Sequence, residues 1–158
     1  MIALITGASS GIGKEMAKNL ATRGVNLILV ARRTERLLAL KEEIVYNCPE
    51  IKVKTITADL SKEEQCFGLY NKVKDYKIDF LFNNAGFGLY GPFLETDLKD
   101  ELSMINVNIK AVHILTKLFL RDFAARNSGY ILNTASVAGF MAGPLLARTG
   151  HARVYMPG

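Results

Sequence analysis

Two cysteines, Cys48 and Cys66, are all that this 158-residue sequence offers, and no motif spacing joins them. That excludes a disulfide framework and suits reduced thiols, so a cytoplasmic location is expected. No apolar run approaches the roughly 18 residues that would span a bilayer, and no membrane partner is expected. The start lacks the basic region and long apolar stretch of a signal peptide. Internal repeats are missing too. The formal charge is +5, but two of the arginines, Arg148 and Arg153, lie in an acid-free stretch of eleven residues at the end. The remaining basic residues are too few and too scattered for a nucleic-acid surface. No metal site is expected, and His113 reads as a packed or surface histidine. A P-loop is also absent: its first glycine would fall on Ala8, and its Ser/Thr after Gly13-Lys14 is Glu15.

What is present fits one domain with a core large enough to fold alone: 49% apolar residues, 22% charged and a mean hydropathy of +0.14. The chain is organised around Leu4-Ile5-Thr6-Gly7-Ala8-Ser9-Ser10-Gly11-Ile12-Gly13-Lys14-Glu15-Met16-Ala17. Met1 to Ile5 reads as a short buried strand, and Ile12, Met16 and Leu20 follow at helical spacing. Strand, glycine turn and helix aim a helix N-terminus at a phosphate. One glycine permits the turn, one lets backbone approach a pyrophosphate, and one brings helix and strand together.

Strand and helix patterns then alternate. Val25 to Ala31 is a continuous apolar run, with Arg32 and Arg33 at its carboxyl end. Thr34 is the expected cap of a helix whose stripe is Leu37, Leu38, Lys41, Ile44 and Val45. A third strand, Ile51 to Ala58, runs into Asp59-Leu60. Ser61 and Glu64 form an expected capping box for a helix with Leu69, Tyr70 and Val73 inward. Ile78 to Phe82 leads to Asn83-Asn84-Ala85-Gly86. A long helix from about Leu98 to Phe123 carries Leu102, Ile105, Ile109, Val112, Thr116 and Leu120 on one face. Gly129 to Ala135 is a fifth strand. The pattern predicts an α/β fold, an open parallel sheet with helices on both faces and its ligand at the carboxyl ends of the strands.

The motifs together resemble the short-chain dehydrogenase/reductase family. Thr6-Gly7-Ala8-Ser9-Ser10-Gly11-Ile12-Gly13 is similar to its TGxxxGIG fingerprint, and Asp59-Leu60 to its adenine-side Asp. Asn84-Ala85-Gly86 resembles its NAG motif, Val107-Asn108-Ile109 the helix motif with its catalytic Asn, and Ile131 to Gly139 the segment holding its catalytic Ser. Asn83 to Gly91, with Glu95-Thr96 and Gly139-Phe140, is similar to the ketoacyl-type reductases and broad bacterial oxidoreductases. The resemblance implies a Rossmann-type doubly wound sheet, here about five of seven strands. It also implies an oxidoreductase acting on a small carbonyl or alcohol substrate, homo-oligomeric in its full-length form.

By that resemblance Gly7, Ser9, Ser10, Gly11, Ile12 and Gly13 would hold the adenosine and pyrophosphate end. Asn84, Ala85 and Gly86 would pass beside the ribose. Ser136 would hydrogen-bond the substrate oxygen, and Asn108 would hold a water. An acid about 20 residues after the glycines would bind a ribose 2′-OH. Arginine stands there instead, at Arg32 and Arg33, and a guanidinium fork suits a 2′-phosphate. NADP(H) is therefore the expected cofactor; the other reading makes both arginines a solvated helix start. From Arg148 the resemblance stops. The family's Tyr-x-x-x-Lys would begin near residue 149, but the sequence there is Arg148-Thr149-Gly150-His151-Ala152-Arg153. The expected organisation is an NAD(P)-binding domain over 1–147 and a non-matching tail over 148–158, consistent with truncation or a frameshift and with loss of activity. The alternative is a non-catalytic nucleotide-binding module.

Overall fold

Five apolar stretches pair as a parallel sheet, and the segments between them wind helices over both of its faces. The computed structural model describes residues 1–136. The strands are β1 (Ile2–Thr6), β2 (Asn26–Ala31), β3 (Val53–Thr57), β4 (Phe80–Asn83) and β5 (Tyr130–Asn133). The helices are α1 (Gly11–Ala21), α2 (Thr34–Asn47), α3 (Glu63–Val73), α4 (Leu98–Ile105) and α5 (Val112–Ala125), with a π-helical turn over Asn106–Ala111. The strand order is β3-β2-β1-β4-β5, with every neighbouring pair parallel. The chain therefore reverses direction between β1 and β4, and the crevice at their carboxyl ends is where such sheets bind ligands. The expected tail over 148–158 lies outside the described residues.

The central strands read as unbroken apolar runs because both of their faces are covered. Ala3, Ile5, Leu27 and Leu29 pack with Ala17, Ala21, Leu37, Leu40 and Ile44 on one side. Leu4, Ile28, Val30 and Leu81 pack with Cys66, Leu69, Val73, Leu115 and Phe119 on the other.

The helices turn differently from their expected faces. In α1 the buried line is Gly13, Ala17 and Ala21, while Ile12 is 64% exposed. Small residues bring this helix close to the sheet and turn the larger ones aside. In α2 the buried residues are Leu37, Leu40 and Ile44, and Leu38 and Val45 face outward. Thr34 begins that helix rather than capping it, because its hydroxyl pairs with that of Thr57 at 2.7 Å. The capping box of Ser61 and Glu64 does not form. Ser61 donates its hydroxyl to Asp59 Oδ1 at 2.8 Å, and α3 starts at Glu63 without a side-chain cap.

The long helix is the largest correction. The buried line runs one residue ahead of the expected stripe along the whole segment, both before and after the π turn, which turns the inward face by about 100°. Met104, Val107, Asn108, Ala111, Leu115, Phe119 and Phe123 are buried, whereas Leu102, Ile105 and Leu120 are exposed. Of the expected stripe only Val112 and Thr116 are buried.

Candidate functional site: a cleft at the carboxyl ends of β1, β2 and β4

The turn after β1 is built around two close approaches. Gly7 has φ +67°, and a Cβ there would stand 2.7 Å from the Ala85 Cα. A Cβ on Gly13 would stand 2.5 Å from both the Gly7 carbonyl oxygen and Asn84 Nδ2. Gly11, in contrast, faces open space at the start of α1. Two glycines thus lock the turn against β4, and the third leaves a helix N-terminus accessible.

Thr6 joins β1 to the turn after β4. Its hydroxyl donates to the Phe82 carbonyl at 3.1 Å and accepts from the N–H groups of Asn84 and Ala85, both at 3.0 Å. The Asn84 side chain donates to the Thr6 carbonyl at 3.2 Å and accepts from the Thr134 hydroxyl at 3.3 Å. Asn84 therefore braces the crevice, and Ala85 and Gly86 are the residues of that motif that line it. Asn83, the first residue after the apolar run of the fourth strand, has no role implied by the motif. It is buried and donates to Thr116 Oγ1 at 3.0 Å and Asn133 Oδ1 at 2.9 Å, tying β4 to α5 and β5.

The resulting cleft is open to solvent and has a cavity volume of about 110 Å³. Gly7, Ser9, Ser10, Arg32, Arg33, Leu60, Ala85 and Gly86 line it, as the motifs suggest, and Phe87 and Val107 complete the wall. None of the lining residues is acidic. Arg33 Nη2 donates to Ser9 Oγ at 3.1 Å and to Ser10 Oγ at 2.8 Å. Ser10 is the N-cap of α1, yet it makes no side-chain bond to the helix. The first N–H groups of α1 thus lack a side-chain cap, the usual condition of an anion-binding helix end. The Arg32 guanidinium lies over the Phe87 ring, 5.8 Å from its centroid.

The remaining candidates lie around the cleft rather than on it. Asp59 lines an adjoining groove with Arg32, and its Oδ1 accepts from the Ser61 N–H and hydroxyl. Asn108 is buried in the π turn and grips the Phe87 backbone. Its Nδ2 donates to the Phe87 carbonyl at 2.8 Å, and its Oδ1 accepts from the Phe87 N–H at 3.1 Å. Ser136 is half-buried, three residues beyond the end of β5.

The chain matches the short chain dehydrogenase family model over residues 1–148. It belongs to the short-chain dehydrogenase/reductase family. A very-long-chain 3-oxoacyl-CoA reductase of Coccidioides immitis is 35% identical over 158 residues, covering 98% of this chain and 45% of that protein. The short-chain dehydrogenase from Sphingobium yanoikuyae, solved in complex with NADPH, superposes with a TM-score of 0.91 at 32% identity, over 96% of this chain and 60% of that one. A bulky-bulky ketone specific alcohol dehydrogenase from Comamonas testosteroni gives 0.91 at 31% identity, over 96% and 61%. The chain spans about half the length of the reductase and about three fifths of each solved structure. Members of this family are NAD(P)-dependent oxidoreductases.

One short-chain dehydrogenase feature needs separating from a look-alike. Tyr70 and Lys74 have the Tyr-x-x-x-Lys spacing, but they sit on and just after α3. The Tyr70 hydroxyl donates to the Asp122 carboxylate at 2.9 Å, and its ring packs edge-on against Phe119 at 5.4 Å. Burial, and next the Asp122 carboxylate, push its pKa above the usual tyrosine value. That is the wrong direction for a proton donor at neutral pH. Neither residue lines the cleft.

Proposed function

We propose that this chain carries the NADP(H) site of a short-chain oxidoreductase for a carbonyl or hydroxyl substrate. The observation that carries the reading is the Arg33 guanidinium, anchored to both glycine-loop serines beside an uncapped helix N-terminus in a cleft without acids. An acid in this place would hold a ribose 2′-OH and repel a 2′-phosphate. A guanidinium fork instead pairs with phosphate.

The nicotinamide cofactor, when bound, supplies or accepts a hydride. The chain's own residues supply the rest. The N–H groups of Gly11, Ile12 and Gly13 would face the pyrophosphate, with Gly11 leaving room for it. Ser9, Ser10, Arg32 and Arg33 hold the phosphorylated ribose. Asp59 and Leu60 border the adenine, and Asn84, Ala85 and Gly86 shape the ribose wall. Ser136 donates to the substrate oxygen, while Asn108 sets the loop that faces it.

A second reading, a nucleotide-binding module without catalysis, has one observation in its favour. No Tyr-x-x-x-Lys follows Ser136 in these 158 residues. A positioned general acid is worth roughly 10²–10⁴ in rate. This polypeptide is therefore expected to bind NADPH and to turn over no ketone or aldehyde above background. Sustained NADPH oxidation with any carbonyl substrate would remove the second reading.

The cofactor assignment is tested by Arg33→Asp. It is expected to weaken NADPH binding by at least about tenfold while leaving NADH binding nearly unchanged. Equal losses for the two cofactors would overturn it.

A further inference from the structure

Arg32 and Arg33 are neighbours in sequence, yet the structure gives them opposite partners. Arg33 turns to Ser9 and Ser10 on the glycine loop. Arg32 lies against Phe87, on the turn after β4, with 5.8 Å between its guanidinium carbon and the ring centroid. That distance is within cation–π range. Because β2 and β4 flank β1, the contact runs from one wall of the cleft to the other. Phe87 is itself held from below. One buried side chain, Asn108, satisfies both its N–H and its carbonyl. The ring is half-buried and lines the cleft beside Val107.

The geometry points to Phe87 as a specificity-determining positioning residue for the phosphorylated cofactor. Its ring holds Arg32 opposite Arg33, so that two guanidinium groups meet a 2′-phosphate from two walls. An exposed arginine otherwise loses several rotatable bonds of freedom when it binds. A guanidinium held over a ring has already lost part of that freedom. Leucine at position 87 would keep an apolar wall but remove the ring quadrupole, whereas tyrosine would keep both.

This inference rests on the NADP(H) reading, and its test distinguishes the two. Dissociation constants for NADPH and NADH are measured by fluorescence titration on the 158-residue chain, F87L, F87Y, R32M and the R32M/F87L double variant. F87L is expected to weaken NADPH about threefold and leave NADH unchanged. F87Y should match the parent chain, and F87L should add nothing in the R32M background. Equal losses of NADPH and NADH in F87L would overturn the inference, as would an undiminished NADPH loss in the R32M background. Thermal melts of each variant complete the test. An F87L variant that melts lower while its NADPH-to-NADH ratio is unchanged makes Phe87 a packing residue only. Failure of the parent reading looks different: the unsubstituted chain would show no preference for NADPH, or no binding, and R33D would change nothing.

Discussion

A Cβ on Gly13 would meet the Gly7 backbone as well as the Asn84 amide, so a methyl group there cannot be absorbed by a side-chain rotation alone. The Gly7 carbonyl oxygen, 2.5 Å from the added Cβ, belongs to the turn that must face the cofactor. Gly13→Ala is expected to cost about 1–3 kcal/mol, the usual range for overpacking, and to weaken NADPH binding. Gly68→Ala is the natural control. It lies in α3 with nothing within 4 Å of its added Cβ, and alanine should stabilise that helix by about 0.5–1 kcal/mol. Urea unfolding of both variants checks the pair, and equal effects would contradict the packing described. Cys66 gives a second prediction at this scale. Burial, then the carboxylates of Glu63, Glu64 and Asp59, push its pKa up to about 11. A raised pKa favours the folded state below the ordinary thiol value, and that contribution is lost as pH climbs through about 11. At pH 8 the folded protein should therefore leave Cys66 unmodified by a thiol reagent, and unfolding in urea should expose it. Rapid labelling of Cys66 in the native protein would contradict its burial.

Among the elements, the long helical segment from Leu98 to Ala125 does most to separate sequence pattern from structure. The expected stripe put Leu102 and Ile105 inward, but Met104 and Ala111 are the buried residues, one position away on the helix. The period cannot choose between two stripes one residue apart, because both carry apolar side chains. The π turn holds Asn108. It buries the amide and aims it at the Phe87 backbone. Met104→Ala should cost about 2–5 kcal/mol, while Leu102→Ala should stay within about 0.5 kcal/mol. Thermal or denaturant unfolding ranks them, and the reverse order would place the helix face where the period put it. The strands were more legible, because a parallel strand buried on both sides needs only an apolar run. Their boundaries still shifted, since only the residues that pair with a neighbour count: β5 is Tyr130–Asn133 within an expected Gly129 to Ala135.

Across the whole molecule, the crevice was legible because each piece of it follows a strand. Gly7 to Gly13, Arg32-Arg33, Asp59 and Asn84 to Gly86 all come at carboxyl ends, and the strand order gathers those ends around β1. What stayed hidden were contacts between residues far apart in sequence. Nothing in the motif shows that Asn84 spends its side chain on Thr6 and Thr134, or that Arg32 reaches Phe87. Tyr70 shows the converse. It has the spacing of a catalytic pair, and only its packing against Asp122 and Phe119 shows that its role is structural. The most direct test of the NADP(H) assignment is a side-by-side fluorescence titration of the unsubstituted chain with NADPH and NADH. Saturable binding of NADPH, at least about tenfold tighter than NADH, is the expected result. Equal affinity for the two, or tighter binding of NADH, would contradict it.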